Sequence, residues 1–149
     1  MNKRTVIGIA GMAGAGKATA EEVFRRRGYP IIVMGDEVRE EAKRRNLEPT
    51  PENLGRVMLQ IRAEEGSAVL AKRCIPKIGT ANSGVVVVDG IRSPEELDEF
   101  RKAFQNFIMI AIHASPKTRF KRLLLRGRSD DPKDWETFIA RDNRELSVG

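Results

Sequence analysis

Along this chain, short apolar runs alternate with longer stretches in which apolar residues recur every three or four positions. The runs are Thr5 to Ala10, Pro30 to Met34, Val85 to Asp89 and Phe107 to His113. Each is the length of a strand and too short for a helix, whereas the stretches between them carry helical spacing. Strands alternating with helices predict a parallel α/β sheet, and nothing in the pattern repeats or falls to low complexity. VVVVD is the clearest run: β-branched residues in succession suit a strand covered on both faces.

Helix starts are punctuated. Thr50-Pro51, Ser93-Pro94, Ser115-Pro116 and Asp131-Pro132 each set a capping side chain before a proline suited to the first helical turn. Ser93 and Glu96 have capping-box spacing. KATAEEVFRRRG predicts a helix that turns Val23 and Phe24 inward and stops at Gly28. No linker-like segment divides the chain, so residues 1–149 are expected to form one domain, with segments 79–84 and 127–133 as its softest parts.

Composition narrows this picture. A chain of 149 residues, 40% hydrophobic, has the size of one domain with a sizeable core. The single Cys74 cannot form an internal disulfide and is expected to be a small core residue. No apolar run approaches the roughly 18 to 20 residues of a membrane span, and a cytoplasmic location is expected. A net charge of +6 favours phosphate-bearing partners, nucleotide or nucleic acid. Abundant Lys, Arg and Glu with two Gln points to a heat-adapted source.

The candidate chemistry begins at GMAGAGKATA. Gly11, Gly16 and Lys17 match the phosphate-loop pattern, with Gly14 between them, and the loop follows a strand and opens a helix as the mechanism requires. Glycines let backbone N–H groups close around phosphate oxygens, the helix N-terminus adds its dipole, and Lys17 supplies a mobile cation. Where the pattern has a magnesium-binding hydroxyl, this chain has Ala18; Thr19, next along, can hydrogen-bond a phosphate. A cation would then be held through water by a nearby carboxylate. Asp36 and Asp89 stand at strand C-termini, where open α/β sheets bind ligands.

GMAGAGKAT is similar to the loop of adenylate kinases, in which a small residue also follows the lysine and threonine comes next. MGDEVREEA resembles the acceptor segment of nucleoside monophosphate kinases, which implies acceptor-phosphate binding by Asp36 and Arg39. VVVVDGIRSPEE resembles their Asp-Gly-x-x-Arg stretch through Asp89 and Gly90, with Arg92 one residue early. RGRSDDPKDWETFIARDNREL looks like the closing end of a kinase lid, spanning about residues 126–134. On that likeness Arg126, Asp130 and Asp131 belong to the lid, and Arg128 and Arg141 join Lys17 as catalytic cations, Arg141 about two residues late. As a whole the chain resembles a family of archaeal P-loop proteins related to adenylate kinase and dephospho-CoA kinase. In that family a further helix and a fifth strand follow the point where this chain stops. The resemblance implies a three-layer P-loop α/β/α fold with strand order 2-3-1-4, ATP and Mg2+ as cofactors with Asp89 reaching the metal through water, and a small phosphorylated acceptor.

Phosphoryl transfer asks little covalent chemistry of a protein and much positioning and charge neutralisation, which suits planar guanidinium groups. The expected activity is ATP-dependent transfer to a nucleotide-like acceptor. Transfer to an alcohol, as in dephospho-CoA kinase, is the alternative within the enzymes. A nucleotide-binding regulatory module with little turnover is the alternative outside them. Basic runs at Arg25 to Arg27 and Lys43 to Arg45 motivate a nucleic-acid partner, but 5% aromatic residues offer no stacking surface. Arg119, Arg122 and Arg126 share one helix face and could be solvated or reach the site. Arg39 could pair with Glu40 or Glu41. His113 is expected to be structural, and Trp135 to pack the lid helix down.

Overall fold

The structure is a computed structural model that describes residues 3–129 and 131–148. Four strands, β1 (Thr5–Ala10), β2 (Ile31–Val33), β3 (Val85–Asp89) and β4 (Asn106–Ala111), form one parallel sheet in the order β2-β3-β1-β4. This is the expected order. The first strand in sequence lies at the centre, and both its partners arrive much later along the chain.

Among the described residues seven helices connect and flank the strands: α1 (Lys17–Arg26), α2 (Gly35–Arg44), α3 (Pro51–Glu65), α4 (Val69–Thr80), α5 (Pro94–Ala103), α6 (Pro116–Arg126) and α7 (Trp135–Val148). A hydrophobic core unites Val6, Val86 and Val88 of the sheet with Met34, Val38 of α2, Val57 and Ile61 of α3, Cys74 and Ile78 of α4, and Phe100 of α5. Ile9 and Val87 have the opposite parity along their strands and are also fully buried. Side chains alternate across a strand, so both faces of the centre are covered, as a run of β-branched residues requires. Burial pushes the Cys74 thiol up to about 12, the behaviour of an inert core residue.

Register brings the C-terminal ends of the strands level. Ile9 pairs with Asp89, Val33 with Asp89, and Ala10 with Ala111. The loops that follow therefore open on one edge. Three helix starts are capped as expected: Thr50, Ser93 and Ser115 accept from the N–H groups of Asn53, Glu96 and Thr118.

Four details differ from the sequence reading. β2 is shorter than 30–34, and β4 ends at Ala111, which leaves His113 exposed on the link to α6. Val23 is 53% exposed, because the inward face of α1 runs through Lys17, Glu21 and Phe24, residues four and three apart. Asp131 does not cap a helix. Asp134 does, accepting from the Thr137 N–H at 2.8 Å, since α7 begins only at Trp135.

Candidate functional site

The segment from Gly11 to Gly16 turns tightly between β1 and α1, closed by the Ala15 N–H on the Met12 carbonyl at 3.0 Å. Gly14 and Gly16 have φ of 80° and 111°, where side chains are strained. At Gly14 there is also no room: a Cβ would stand 2.8 Å from the Arg119 carbonyl of α6. Gly16 offers the first turn of α1 no side-chain cap. The first amides of a helix need partners from outside it, and an anion at the loop could supply them.

Two arginines of α6 hold the loop from behind. Arg122 Nη1 donates to the carbonyls of Gly14 at 3.2 Å and Ala15 at 3.1 Å, and Arg119 Nη1 donates to that of Ala13 at 3.4 Å. In a trans peptide the N–H points opposite to the carbonyl, so anchoring the carbonyls aims the amides the other way. Of the three arginines on this helix face, Arg122 belongs to the site and Arg119 is a buried strut. The Arg119 guanidinium also binds Asp142 of α7 through two hydrogen bonds of 2.9 and 2.5 Å and lies 5.1 Å from the Phe138 ring centroid. Trp135 packs edge-on against Phe120, with centroids 5.5 Å apart, and so seats α7 on α6 as expected.

Lys17 reaches across to β3, its Nζ 3.6 Å from Asp89 Oδ1. Ala18 and Thr19 lie exposed on the first turn of α1. Beside Lys17 stands a residue the sequence reading missed. Glu21 is 8% exposed and faces Asp89, and neither Glu21 Oε1 nor Asp89 Oδ1 meets a hydrogen-bond donor. Burial first, then the contact with Asp89, raises the Glu21 carboxyl from 4.5 to about 7. Glutamates on a helix read as solvent-facing. The available signal was its spacing, four residues after Lys17 and three after Ala18.

These orphaned oxygens fit a divalent cation. Magnesium takes oxygen ligands, commonly one or two carboxylates with phosphates and water. Among the described residues no three His, Cys, Asp or Glu side chains converge on a metal position, so any cation here needs further ligands from water or phosphate.

Beyond β2, the Met34 N–H donates to the Asp89 carbonyl at 2.9 Å and brings the end of β2 against that of β3. Asp36 lies in the first turn of α2, and Arg39 turns back onto it at 2.7 Å rather than onto Glu40 or Glu41. Gly90, at φ 98°, makes the turn after β3. Arg92 binds Glu145 of α7 at 2.5 Å, while its N–H donates to the buried Glu96, which also binds Arg62 at 2.7 Å. Burial raises Glu96 and lowers Arg62, each disfavouring the charged form.

After α6, Asp131 gathers the cations. Arg126 binds it through Nε at 2.8 Å and again through Nη2, the Arg128 N–H donates to it at 3.0 Å, and Arg141 Nη1 lies at 3.6 Å. Arg126 foremost holds the Asp131 carboxyl down to about 2. Asp131, Thr137, Arg141 and Arg144 line an open cleft of about 350 Å³. Arg128 itself is exposed, and Asp130 lies outside the described residues. The two basic runs are largely matched by acids: Arg25 and Arg26 bind Glu22, and Arg44 and Arg45 bind Glu41.

A family model described as AAA domain matches residues 10–138, which takes in the glycine loop, Asp36, Asp89 and the segment 126–134. UPF0200 protein PH1008 of Pyrococcus horikoshii is 49% identical over 148 residues, covering 97% of this chain and 80% of that protein. The chain belongs to the UPF0200 family. A UPF0200 protein of Hyperthermus butylicus is 48% identical over 146 residues, covering 98% of the chain and 78% of that protein. Among solved structures, TT1252 from Thermus thermophilus superposes with a TM-score of 0.62 at 18% identity, covering 97% of this chain and 82% of that one. A shikimate kinase from Bacteroides thetaiotaomicron gives 0.56 at 17%, with coverage of 96% and 78%. A gluconokinase from Sinorhizobium meliloti gives 0.55 at 16%, with coverage of 97% and 76%. This UPF0200 chain therefore has a P-loop kinase-like fold. Among the described residues no helix is long and apolar enough to cross a membrane.

Proposed function

We propose that this UPF0200 chain is an ATP-dependent phosphotransferase acting on a small, nucleotide-like acceptor that carries a phosphate. The observation that supports this most is the juxtaposition at the level strand ends: a glycine loop with its carbonyls tied back, Lys17 over Asp89, and α2 opening with Asp36 and Arg39 next to them. The loop amides, Lys17 and Thr19 bind the phosphates of ATP. Asp89 would hold Mg2+ through water, and the metal would neutralise phosphate charge. Arg39 and Arg92 receive the acceptor's phosphate, for which Arg39 must leave Asp36 and Arg92 must leave Glu145. Arg128 and Arg141 neutralise the charge that builds on the transferring group, and the lid segment excludes water.

An ADP-release assay across nucleoside monophosphates, dephospho-CoA, gluconate and shikimate tests the acceptor class, with Lys17→Ala as control. Turnover with a monophosphate that Lys17→Ala abolishes is expected. Unchanged nucleotide affinity and activity in Lys17→Ala would remove the reading. Asp36→Asn then separates the acceptor types. A phosphate acceptor is already ionised near neutral pH, whereas an alcohol gains roughly 10²–10⁴-fold from a general base. Turnover within about tenfold of the parent is expected, below that range. A thousandfold fall with acceptor affinity kept would mean an alcohol acceptor.

A further inference from the structure

We infer that Glu21 is a divalent-cation ligand of the phosphate site, replacing from the next turn of α1 the hydroxyl that Ala18 lacks. The inference rests on the reading of the loop as an ATP site and adds a residue to it. The two glutamates that open the second turn of α1 are neighbours in sequence and opposites in setting. Glu22 is half-exposed and answered by Arg25 and Arg26 at 3.5 and 3.1 Å. Glu21 is buried against a second carboxylate, with its Oε1 and the Oδ1 of Asp89 both without donors. Lys17 at 3.6 Å from Asp89 is too distant for a hydrogen bond to satisfy either.

Two buried carboxyls that face each other are unfavourable unless a proton or a cation joins them. A proton can join them when no cation is bound. The spacing argues for a cation when phosphates are present. Glu21 follows Ala18 by three residues and Lys17 by four, so the three are neighbours on the surface of α1, with Ala18 exposed and Glu21 turned inward. One carboxylate as a direct ligand and a second reached through water, with phosphate oxygens, matches what magnesium accepts.

Calorimetric titration of the whole chain with ADP, in Mg2+ and separately in EDTA, tests this without any turnover. In the parent, Mg2+ should tighten ADP binding about tenfold, a coupling within the usual 5–150-fold range. Glu21→Gln and Glu21→Ala should keep the EDTA affinity within about twofold and lose most of the Mg2+ enhancement. Adding Ala18→Ser to Glu21→Gln should restore part of it by returning a hydroxyl to the first turn. Full Mg2+ enhancement in either folded single variant overturns the inference and leaves Glu21 as a hydrogen-bond partner of Asp89. A fall in EDTA affinity equal to that in Mg2+ also overturns it, since Glu21 would then act on Lys17. A parent chain that binds no ADP in either condition overturns the phosphotransferase reading itself, and this inference with it.

Discussion

Asp142→Ala should destabilise the chain by about 3 kcal/mol, near the lower end of the 3–5 kcal/mol for breaking a buried ion pair. The side chains of Arg119 and Asp142 are only 6% and 9% exposed, so removing the carboxylate strands a guanidinium that water reaches poorly. Two hydrogen bonds, of 2.9 and 2.5 Å, are lost. The penalty stays low in that range because Arg119 keeps the carbonyls of Ala114 and Ala13, at 3.1 and 3.4 Å, and the Phe138 ring. For a domain near 150 residues, each kcal/mol moves Tm by roughly 2–4 °C, so a fall of about 6–12 °C is expected. Scanning calorimetry reads the fall, and urea unfolding gives the free energy. Arg119→Met with Asp142→Leu removes both charges and should return to within about 1 kcal/mol of the parent, because apolar replacements of buried pairs are tolerated. A loss under about 1 kcal/mol in Asp142→Ala, or a double variant as weak as the single one, would refute the view that the uncompensated charge is what costs.

Truncating Arg128 should chiefly lower kcat, because its partner charge develops in the transition state, and truncating Arg39 should chiefly raise the acceptor KM; steady-state kinetics giving the reverse would exchange the two sides of the site. Acid should unfold the chain between about pH 4 and 2. Glu41 and Asp131 are both held down to about 2 by arginines, from ordinary values of 4.5 and 3.8. A depressed carboxylate contributes stability that is complete above its unfolded value and is lost as pH falls through its folded one. Urea midpoints taken from pH 5 down to 2 check this, and Asp131→Asn should flatten the decline; an unchanged slope would count against it.

Local pattern carried the sheet. VVVVD could be nothing but a covered strand, and glycines at 11, 14 and 16 before a helix fixed where β1 must end. What local pattern could not carry is pairing over distance. Asp131 beside a proline looks like a cap, yet five residues back Arg126 competes for it, and charge prevails over capping. Glu21 looks like surface because hydrophobic period alone was used to choose the inner face of α1, which here begins with the polar Lys17. Asp142 and Arg119 lie 23 residues apart on different helices, and no window of either helix announces the other.

The central position of β1 sets the order in which the molecule can be built. On the ribosome, the strand and its glycine loop emerge first, but β3 follows roughly 75 residues later, and Arg119 and Arg122 later still. At ~5–20 residues per second, β1 waits ~4–15 s before its first neighbour exists. Throughout that interval the glycine loop also lacks the two arginines that tie back its carbonyls, so its amides are not yet aimed.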